Sequence, residues 1–442
     1  MTIRMDEGAA ELLDTLHRAG YAAYVVGGCV RDSLLGLTPH DWDLCTSALP
    51  QQGMELFGAE KCIPTGLQHG TVTVKQGGGL YEITTFRTEG TYTDGRHPDE
   101  VYFVPDVRED LARRDFTINA MAYNAKEGLV DPFGGQADLQ SGILRAVGVP
   151  HQRFTEDALR ILRLYRFAAR FGFAIDPPTA QAAQELCAHL DCVSVERIEE
   201  ELAKLLSAPA PAAYLDEKIL PLVLPELSPE ALAAAKPVVD ACPAGEQALP
   251  VRLAALLLSL GEDGTRRTLR RLRCSNACIE ETAVLVREVV SGVPGAFSSD
   301  TNRAIPSPAL LPAATGSHPS GRSSEKLPAR PPVSLNIYTR KLLGQYGLKT
   351  VQRLAALGTA LQPEHAADFA ALSELAERLD ADGVCCRISQ LAVNGRDLMA
   401  AGVPAGPGIR KVLEALLDGV IREEYPNERQ ALLTAVQQLA AS

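Results

Sequence analysis

No apolar stretch in the sequence is long enough to cross a bilayer. The longest, at residues 219–224 and 253–260, fall far short of the roughly 20 residues that a spanning helix needs. A helical membrane protein is therefore excluded. A secretory leader is not expected either, because the N-terminal segment carries charges in an amphipathic helical pattern, and the default compartment is the cytoplasm. Net positive charge is also missing. Lys and Arg number 43 against 55 Asp and Glu, a formal charge of −12, so a nucleic-acid partner needs locally concentrated basic residues rather than a general basic coat. Ten cysteines are present, scattered through apolar or helical contexts without the Cys and His spacing of a zinc site. No repeat with a period of roughly 20 to 50 residues stands out.

What is present is enough chain for two to four core-forming units in 442 residues. The first third alternates strand and helix patterns. Residues 4–20 read as a helix, AAYVVGG as a strand, residues 30–35 as a helix, DWD as a strand, and residues 51–57 as a helix. HGTVTVKQGGGLYEITTFRT reads as a β-hairpin whose second strand carries Glu82. Residues 88–100 are polar and turn-rich, a mobile loop before a strand at 101–104. LARRDFTINAMAYN is expected to begin a helix, and GLVDPFGGQADLQSGILRAVG to give a strand, a Gly-Gly turn and a closing strand. From Phe154 the pattern is helical, with Thr155 as an N-cap and Gly172 as a stop, then Ser194 as the cap of SVERIEEELAKLL. Residues 294–334, rich in Pro, Ser, Gly and Ala, read as a disordered linker. The expected architecture is an α/β head with a small mixed β-sheet (1–148), followed by an all-α neck (149–206), body (207–293) and, past the linker, a further body and tail (335–442).

The chemistry gathers around TPHDWDLCT. On a strand, Asp41 and Asp43 leave the same face, and two parallel carboxylates suit a divalent metal. Upstream, VVGGCVRD is an apolar strand, a Gly pair and a helix start, a backbone able to approach phosphate. Arg160, Arg163, Arg166 and Arg170 share one face of a helix, and TRRTLRRLR concentrates five more arginines. Taken singly these signals are modest. A D-x-D is usually a surface pair, Glu82 by itself reads more readily as a strand-face glutamate in a hairpin, and Arg113, Arg114 and Asp115 read also as a helix-entry ion-pair cluster. An arginine-lined helix reads equally well as a solvated face.

Their order carries more. Strand, GGCVRD, short helix, DWD, hairpin with Glu82, RRDFTINAMA, DPFGG and EDALRILRLYRF together resemble the class II tRNA nucleotidyltransferases, that is, the CCA-adding enzymes and their poly(A) polymerase relatives in the DNA polymerase beta-like superfamily. The resemblance is dense from residue 20 to about 206 and thinner through VNGRDLMAAGVPAGPGI. It implies that Asp41 and Asp43 hold two Mg²⁺ ions, with Glu82 as the third carboxylate, nearest the attacking 3′-oxygen. Gly28 and Arg31 match triphosphate contacts, and Arg114 and Asp115 match nucleotide binding and ribose recognition. Asp157 and Arg160 match a protein template that reads the base edge, with Arg163 and Arg166 as further nucleotide contacts and Glu156 orienting the helix. Glu196, Arg197 and Glu201 read as structural, through an i, i+4 pair of Arg197 with Glu201. TRRTLRRLR is either a tRNA phosphate contact or an exposed basic face.

Within that family, the 88–100 loop and the CCA-like tail favour CCA addition to tRNA from CTP and ATP. A-addition alone comes second and poly(A) synthesis third, while a non-catalytic RNA-binding protein is disfavoured by the full set Asp41, Asp43 and Glu82. RLAALLLSLGEDG holds no His-Asp pair, so phosphohydrolase activity is not expected.

Overall fold

The segment AYVV is buried along its whole length and forms an interior strand of a seven-stranded mixed sheet, as expected of a strand covered on both faces. The computed structural model describes residues 2–90, 100–290 and 335–441. The chain divides into two compact units, Met1–Pro225 and Glu226–Ser442. The head and neck expected from the sequence both lie in the first. The linker expected at 294–334 lies outside the described residues, as does most of the 88–100 loop.

The first unit opens with α1 (Glu7–Arg18), β1 (Ala23–Val26), α2 (Gly28–Leu34), β2 (Leu44–Thr46) and α3 (Pro50–Phe57). Next come β3 (Cys62–Gly66), β4 (Thr71–Gln76), β5 (Gly79–Thr85), β6 (Arg87–Glu89), β7 (Val101–Phe103) and α4 (Val107–Ala112). β8 (Ala122–Asn124), β9 (Gly128–Val130), α5 (Gly135–Ser141) and β10 (Ile143–Leu144) complete the head. The neck holds α6 (Pro150–Glu156), α7 (Leu159–Phe171), β11 (Ala174–Ile175), α8 (Pro177–Leu186) and α9 (Val195–Leu206).

Local chemistry accounts for the ends of these elements. Asp6 caps α1 through the amides of Gly8 and Ala9, His17 and Arg18 sit in its last turn, and Leu12, Leu13 and Leu16 are buried. Gly172, in the left-handed region at φ 67°, stops α7 as expected. The sheet order is β3-β4-β5-β2-β1-β8-β9. Its pairs are antiparallel except β2 with β5, which run parallel. Tyr24, Val26, Cys45, Phe86, Val107, Leu111 and Ala122 form a core on one side of it.

Several expectations are corrected. Asp41, Trp42 and Asp43 are not a strand; they are irregular backbone leading into β2. Thr88 and Glu89 belong to β6, paired with β7, rather than to a loop. RRD does not begin a helix but follows the end of α4, and a single 3-10 turn, Thr117–Asn119, leads on to β8. Thr155 lies in the last turn of α6, and the chain breaks at Asp157 (φ −146°, ψ 104°) before α7 starts. Strand pairing also continues past Gly148: β10 pairs in parallel with β11, and Arg145 bonds both Asp138 and Asp176. These contacts stitch head to neck.

In the second unit the described residues form ten α-helices, from Pro229–Ala241 to Arg429–Ala441. Buried Arg340 donates to the carbonyls of Ile421 (3.3 Å) and Cys385 (3.0 Å), so one guanidinium joins three segments. No described helix is long and apolar enough to cross a membrane.

Gly135 lets α5 approach the Thr117–Asn119 turn, because a Cβ at that position would lie 2.1 Å from the Thr117 carbonyl oxygen. Gly135→Ala is expected to destabilise the first unit by about 2 kcal/mol or more through overpacking. Gly53→Ala in α3, where nothing lies within 4 Å, is expected to be neutral or mildly stabilising. Thermal melts followed by circular dichroism compare the two.

Candidate active site

The parallel register between β2 and β5 builds the carboxylate group. Leu44 pairs with Ile83 and Cys45 with Thr84, so Asp43 and Glu82, each one residue earlier, are neighbours across the two chains. The Asp43 carbonyl accepts from Val26 N–H at 2.9 Å, which fixes its backbone beside β1. Asp43 keeps solvent access over the residue as a whole, but protein atoms crowd its carboxyl group. That burial, with the charges of Glu82 and Asp41, pushes it above the usual carboxylate range against the pull of Arg114. Asp41, Asp43 and Glu82 are thus brought into one electrostatic group, with Arg114 as the opposing cation.

Arg114 is held by Asp110, a fully buried carboxylate on α4 that accepts from it at 3.2 Å and from Arg113 at 2.8 Å and 3.0 Å. Burial opposes the charge on Asp110, but the two guanidinium groups outweigh it and hold its carboxyl below the usual range. Arg113 also reaches Glu89 on β6 at 2.9 Å. The turn from β1 into α2 passes close by. Gly27, at φ 76°, would bring a Cβ within 3.0 Å of the Arg114 guanidinium, so the position needing glycine is Gly27. At Gly28 an added Cβ makes only an ordinary contact, 3.6 Å from Arg31.

Arg31 is not a free fork. It is 4% exposed, donates to Asp32 (2.8 Å) and to the Asn119 carbonyl oxygen (2.6 Å), and lies over the rings of Phe167 and Phe171. Asn119 in turn donates to Asp115 at 3.1 Å. Asp115 receives the Arg163 guanidinium edge-on at 2.9 Å and 2.7 Å, and Arg163 and Arg166 both pair with buried Glu201. Arg170 closes the other end on Asp32 at 3.3 Å. Four expected nucleotide contacts, Arg31, Asp115, Arg163 and Arg166, therefore belong to one chain of alternating charges.

Asp157 and Arg160 stand apart from it, each with its own partner. Arg197 on α9 grips Asp157 at 3.2 Å and 2.7 Å, and the Asp157 side chain accepts from Leu159 N–H at the start of α7. Arg160 bonds Glu156 (2.7 Å) and the carbonyls of Arg153 and Arg113. Glu156, expected to orient the helix, joins Arg160 of α7 to Arg153 of α6. The expected Arg197–Glu201 pair is corrected: Arg197 goes to Asp157 and Glu201 to Arg166 and Arg163, because α9 packs against α7 and offers shorter routes than its own next turn. Asn119, Asp110 and Asp32 were missed by sequence reasoning. Asn119 does carry a signal, a lone amide in the apolar run TINAMA. In the second unit, Arg266 pairs with Glu262 and Glu280, and Arg271 with Glu226.

Asp115 is 9% exposed. Burial alone would raise its carboxyl, but the Arg163 charge and hydrogen bonds, then Asn119 and Arg160, bring it down from 3.8 to about 2. A carboxylate depressed on folding stabilises the fold above its unfolded value and loses that contribution as pH falls through its folded value. The native protein should therefore lose about 2 kcal/mol more stability than Asp115→Asn as pH falls from 3.8 to about 2. Urea unfolding at a series of acid pH values measures the difference.

Residues 23–145 match the poly A polymerase head domain, residues 172–230 the probable RNA and SrmB-binding site of polymerase A, and residues 337–436 tRNA nucleotidyltransferase domain 2. The CCA-adding enzyme of Lactiplantibacillus plantarum is 34% identical over 99% of this chain and 97% of its own length, and that of Limosilactobacillus fermentum is 36% identical over 98% and 97%. Among solved structures, the Bacillus stearothermophilus CCA-adding enzyme in complex with CTP superimposes with a TM-score of 0.78 at 30% identity, covering 99% of this chain and 98% of that one. The Thermotoga maritima CCA-adding enzyme complexed with tRNA shares the fold, with a TM-score of 0.63 at 21% identity over 99% and 97%. Near-complete coverage at this level of identity leads to one family, and the chain belongs to the CCA-adding enzymes, the tRNA nucleotidyltransferases that carry a poly(A) polymerase head.

Proposed function

We propose that this chain adds C, C and A to the 3′ end of tRNA from CTP and ATP without a nucleic-acid template, in the cytoplasm where the tRNA pool lies. The observation that carries this reading is the pairing of Asp43 with Glu82 across β2 and β5, beside Arg114 and the Gly27 turn. In the reaction the tRNA 3′-oxygen bonds to the α-phosphorus, the bond from that phosphorus to the bridging oxygen breaks, and pyrophosphate leaves with the electron pair.

Members of this family depend on a divalent metal, and the donor set fits Mg²⁺. Asp41, Asp43 and Glu82 offer hard oxygens, and Asp43 is crowded by two like charges that a cation would relieve. Among the described residues no group of three or more acidic, His or Cys side chains is placed to hold a metal ion by itself. An ion that takes one or two carboxylates and completes its shell with water and phosphate suits such an open group. Asp41 and Asp43 would hold two such ions, one of which would lower the pKa of the 3′-hydroxyl while the other would neutralise the leaving pyrophosphate.

The remaining roles fall to the protein's own groups. Glu82 faces the incoming 3′-hydroxyl. Arg114 and the backbone beyond Gly27 meet the triphosphate, with Arg31 adding charge from beneath, since Asp32 and Asn119 fill its fork. Asp115, with Arg163, receives the ribose. Asp157 and Arg160 read the base edge, and Arg197 sets the plane of the Asp157 carboxylate.

Purified protein with Mg²⁺, CTP and ATP is expected to extend tRNA transcripts ending at the discriminator base, at C and at CC, and to stop after A. Success on the CC transcript alone would reduce the activity to A-addition, and long A tracts would make it a poly(A) polymerase. Asp43→Ala should abolish turnover on every transcript while leaving tRNA binding nearly intact, as measured by filter binding. Asp157→Ala should lower the rate and also relax the preference for CTP and ATP over GTP and UTP; an unchanged preference in competition assays would remove Asp157 from base selection.

A further inference from the structure

Asn119 links the two halves of the nucleotide site, and nothing in the reaction scheme above assigns it a task. Its carbonyl oxygen accepts from Arg31 at 2.6 Å and its amide nitrogen donates to Asp115 at 3.1 Å. A side-chain amide carries its acceptor and its donor on separate atoms, so it can face a guanidinium with one and a carboxylate with the other.

The turn that carries it is held from several sides. Phe116 and Ile118 are fully buried, Thr117 N–H donates to the Arg145 carbonyl at 2.9 Å, and Thr117 Oγ1 donates to Asp138 at 2.8 Å. Gly135 allows α5 to press against the Thr117 carbonyl, and Gly27 N–H bonds the Met121 carbonyl at 3.0 Å just beyond the turn. Asn119 itself is 7% exposed, so its rotamer is set by packing and by two charged partners.

Resting on the assignment of Asp115 to the ribose and Arg31 to the triphosphate side, we propose that Asn119 is a positioning residue for ribonucleotide selection. It fixes the Asp115 carboxylate at a set distance from Arg31, so that a nucleotide anchored by its triphosphate meets Asp115 only at the 2′-hydroxyl. Loss of the amide leaves that Asp115 oxygen to the Phe116 N–H (2.8 Å), while Arg163 keeps the other oxygen, so the carboxylate is no longer tied to Arg31, whose remaining side-chain hydrogen bond goes to Asp32.

The test is single-nucleotide addition to a tRNA transcript ending in CC, comparing ATP with 2′-deoxyATP. Asn119→Ala should reduce the preference for ATP in kcat/KM about ten-fold, the scale of one hydrogen bond to a charged group, and raise the KM for ATP. Asn119→Asp keeps the shape and the acceptor for Arg31 but turns a second carboxylate toward Asp115, so it should lose the preference with a smaller change in KM; it also carries the test if the alanine variant does not fold. Asn124→Ala serves as the structural comparison. Asn124 is fully buried in the head, donates to the Ala23 carbonyl and accepts from the Lys126 and Glu127 N–H groups, so its loss should lower the melting temperature without altering the ATP to deoxyATP ratio. Asp115→Ala separates the two levels of the argument. If it destroys the preference while both Asn119 variants keep it, the positioning role is wrong and the ribose assignment stands. If Asp115→Ala also keeps the preference, both fall.

Discussion

The parallel pairing of β2 with β5 is the constraint on which the site depends. It is the one parallel pair in a sheet that is otherwise antiparallel, and it alone brings Asp43 beside Glu82. Strand periodicity makes this an all-or-nothing matter, since a slip of one residue would turn Glu82 to the opposite face. The register is held on the buried side by Leu44 and Ile83. Just past the pair, Phe86 N–H bonds the Thr46 carbonyl at 2.8 Å and Thr85 Oγ1 donates to the Ala48 carbonyl at 2.7 Å. Apolar packing and two ordinary hydrogen bonds thus set the placement of the charged groups.

A second constraint follows from burying so many ions. An unpaired charge in a protein interior is costly, and a paired one is tolerated when every lone pair and proton has a partner. From Arg170 through Asp32, Arg31, Asn119, Asp115, Arg163 and Glu201 to Arg166, signs alternate except at the amide. Such a chain contributes little net stability compared with apolar side chains of similar volume, but it fixes directions, which apolar contacts do not. The neck helix and the Gly27 turn are thereby given a common geometry, the property that a site choosing among nucleotides requires.

Much of this was legible in the sequence, and the rest was hidden for identifiable reasons. Apolar periodicity located nearly every head element, and motif order pointed to the family. Asp41 and Asp43 were chosen by assuming a strand that does not exist; the partnership that matters, Asp43 with Glu82, is long-range and has no local signature. RRDFTINAMA looked like a helix because its apolar residues recur, yet Arg113 and Arg114 fold back on Asp110 and end α4 instead. Arg197 was paired with the wrong glutamate because spacing within one helix is visible in a sequence, whereas the approach of α9 to α7 is not.

The join between β10 and β11, reinforced by Arg145 on Asp138 and Asp176, bears on how such a chain can be rearranged in evolution. Two short strands that share a ladder must be inherited together, and the head supplies one while the neck supplies the other. A crossover between relatives at residue 148 would take the two sides of that ladder and of the charge chain from different parents, whereas one near Pro225, where the first compact unit ends, keeps both from one parent. Head and neck are therefore a single heritable module.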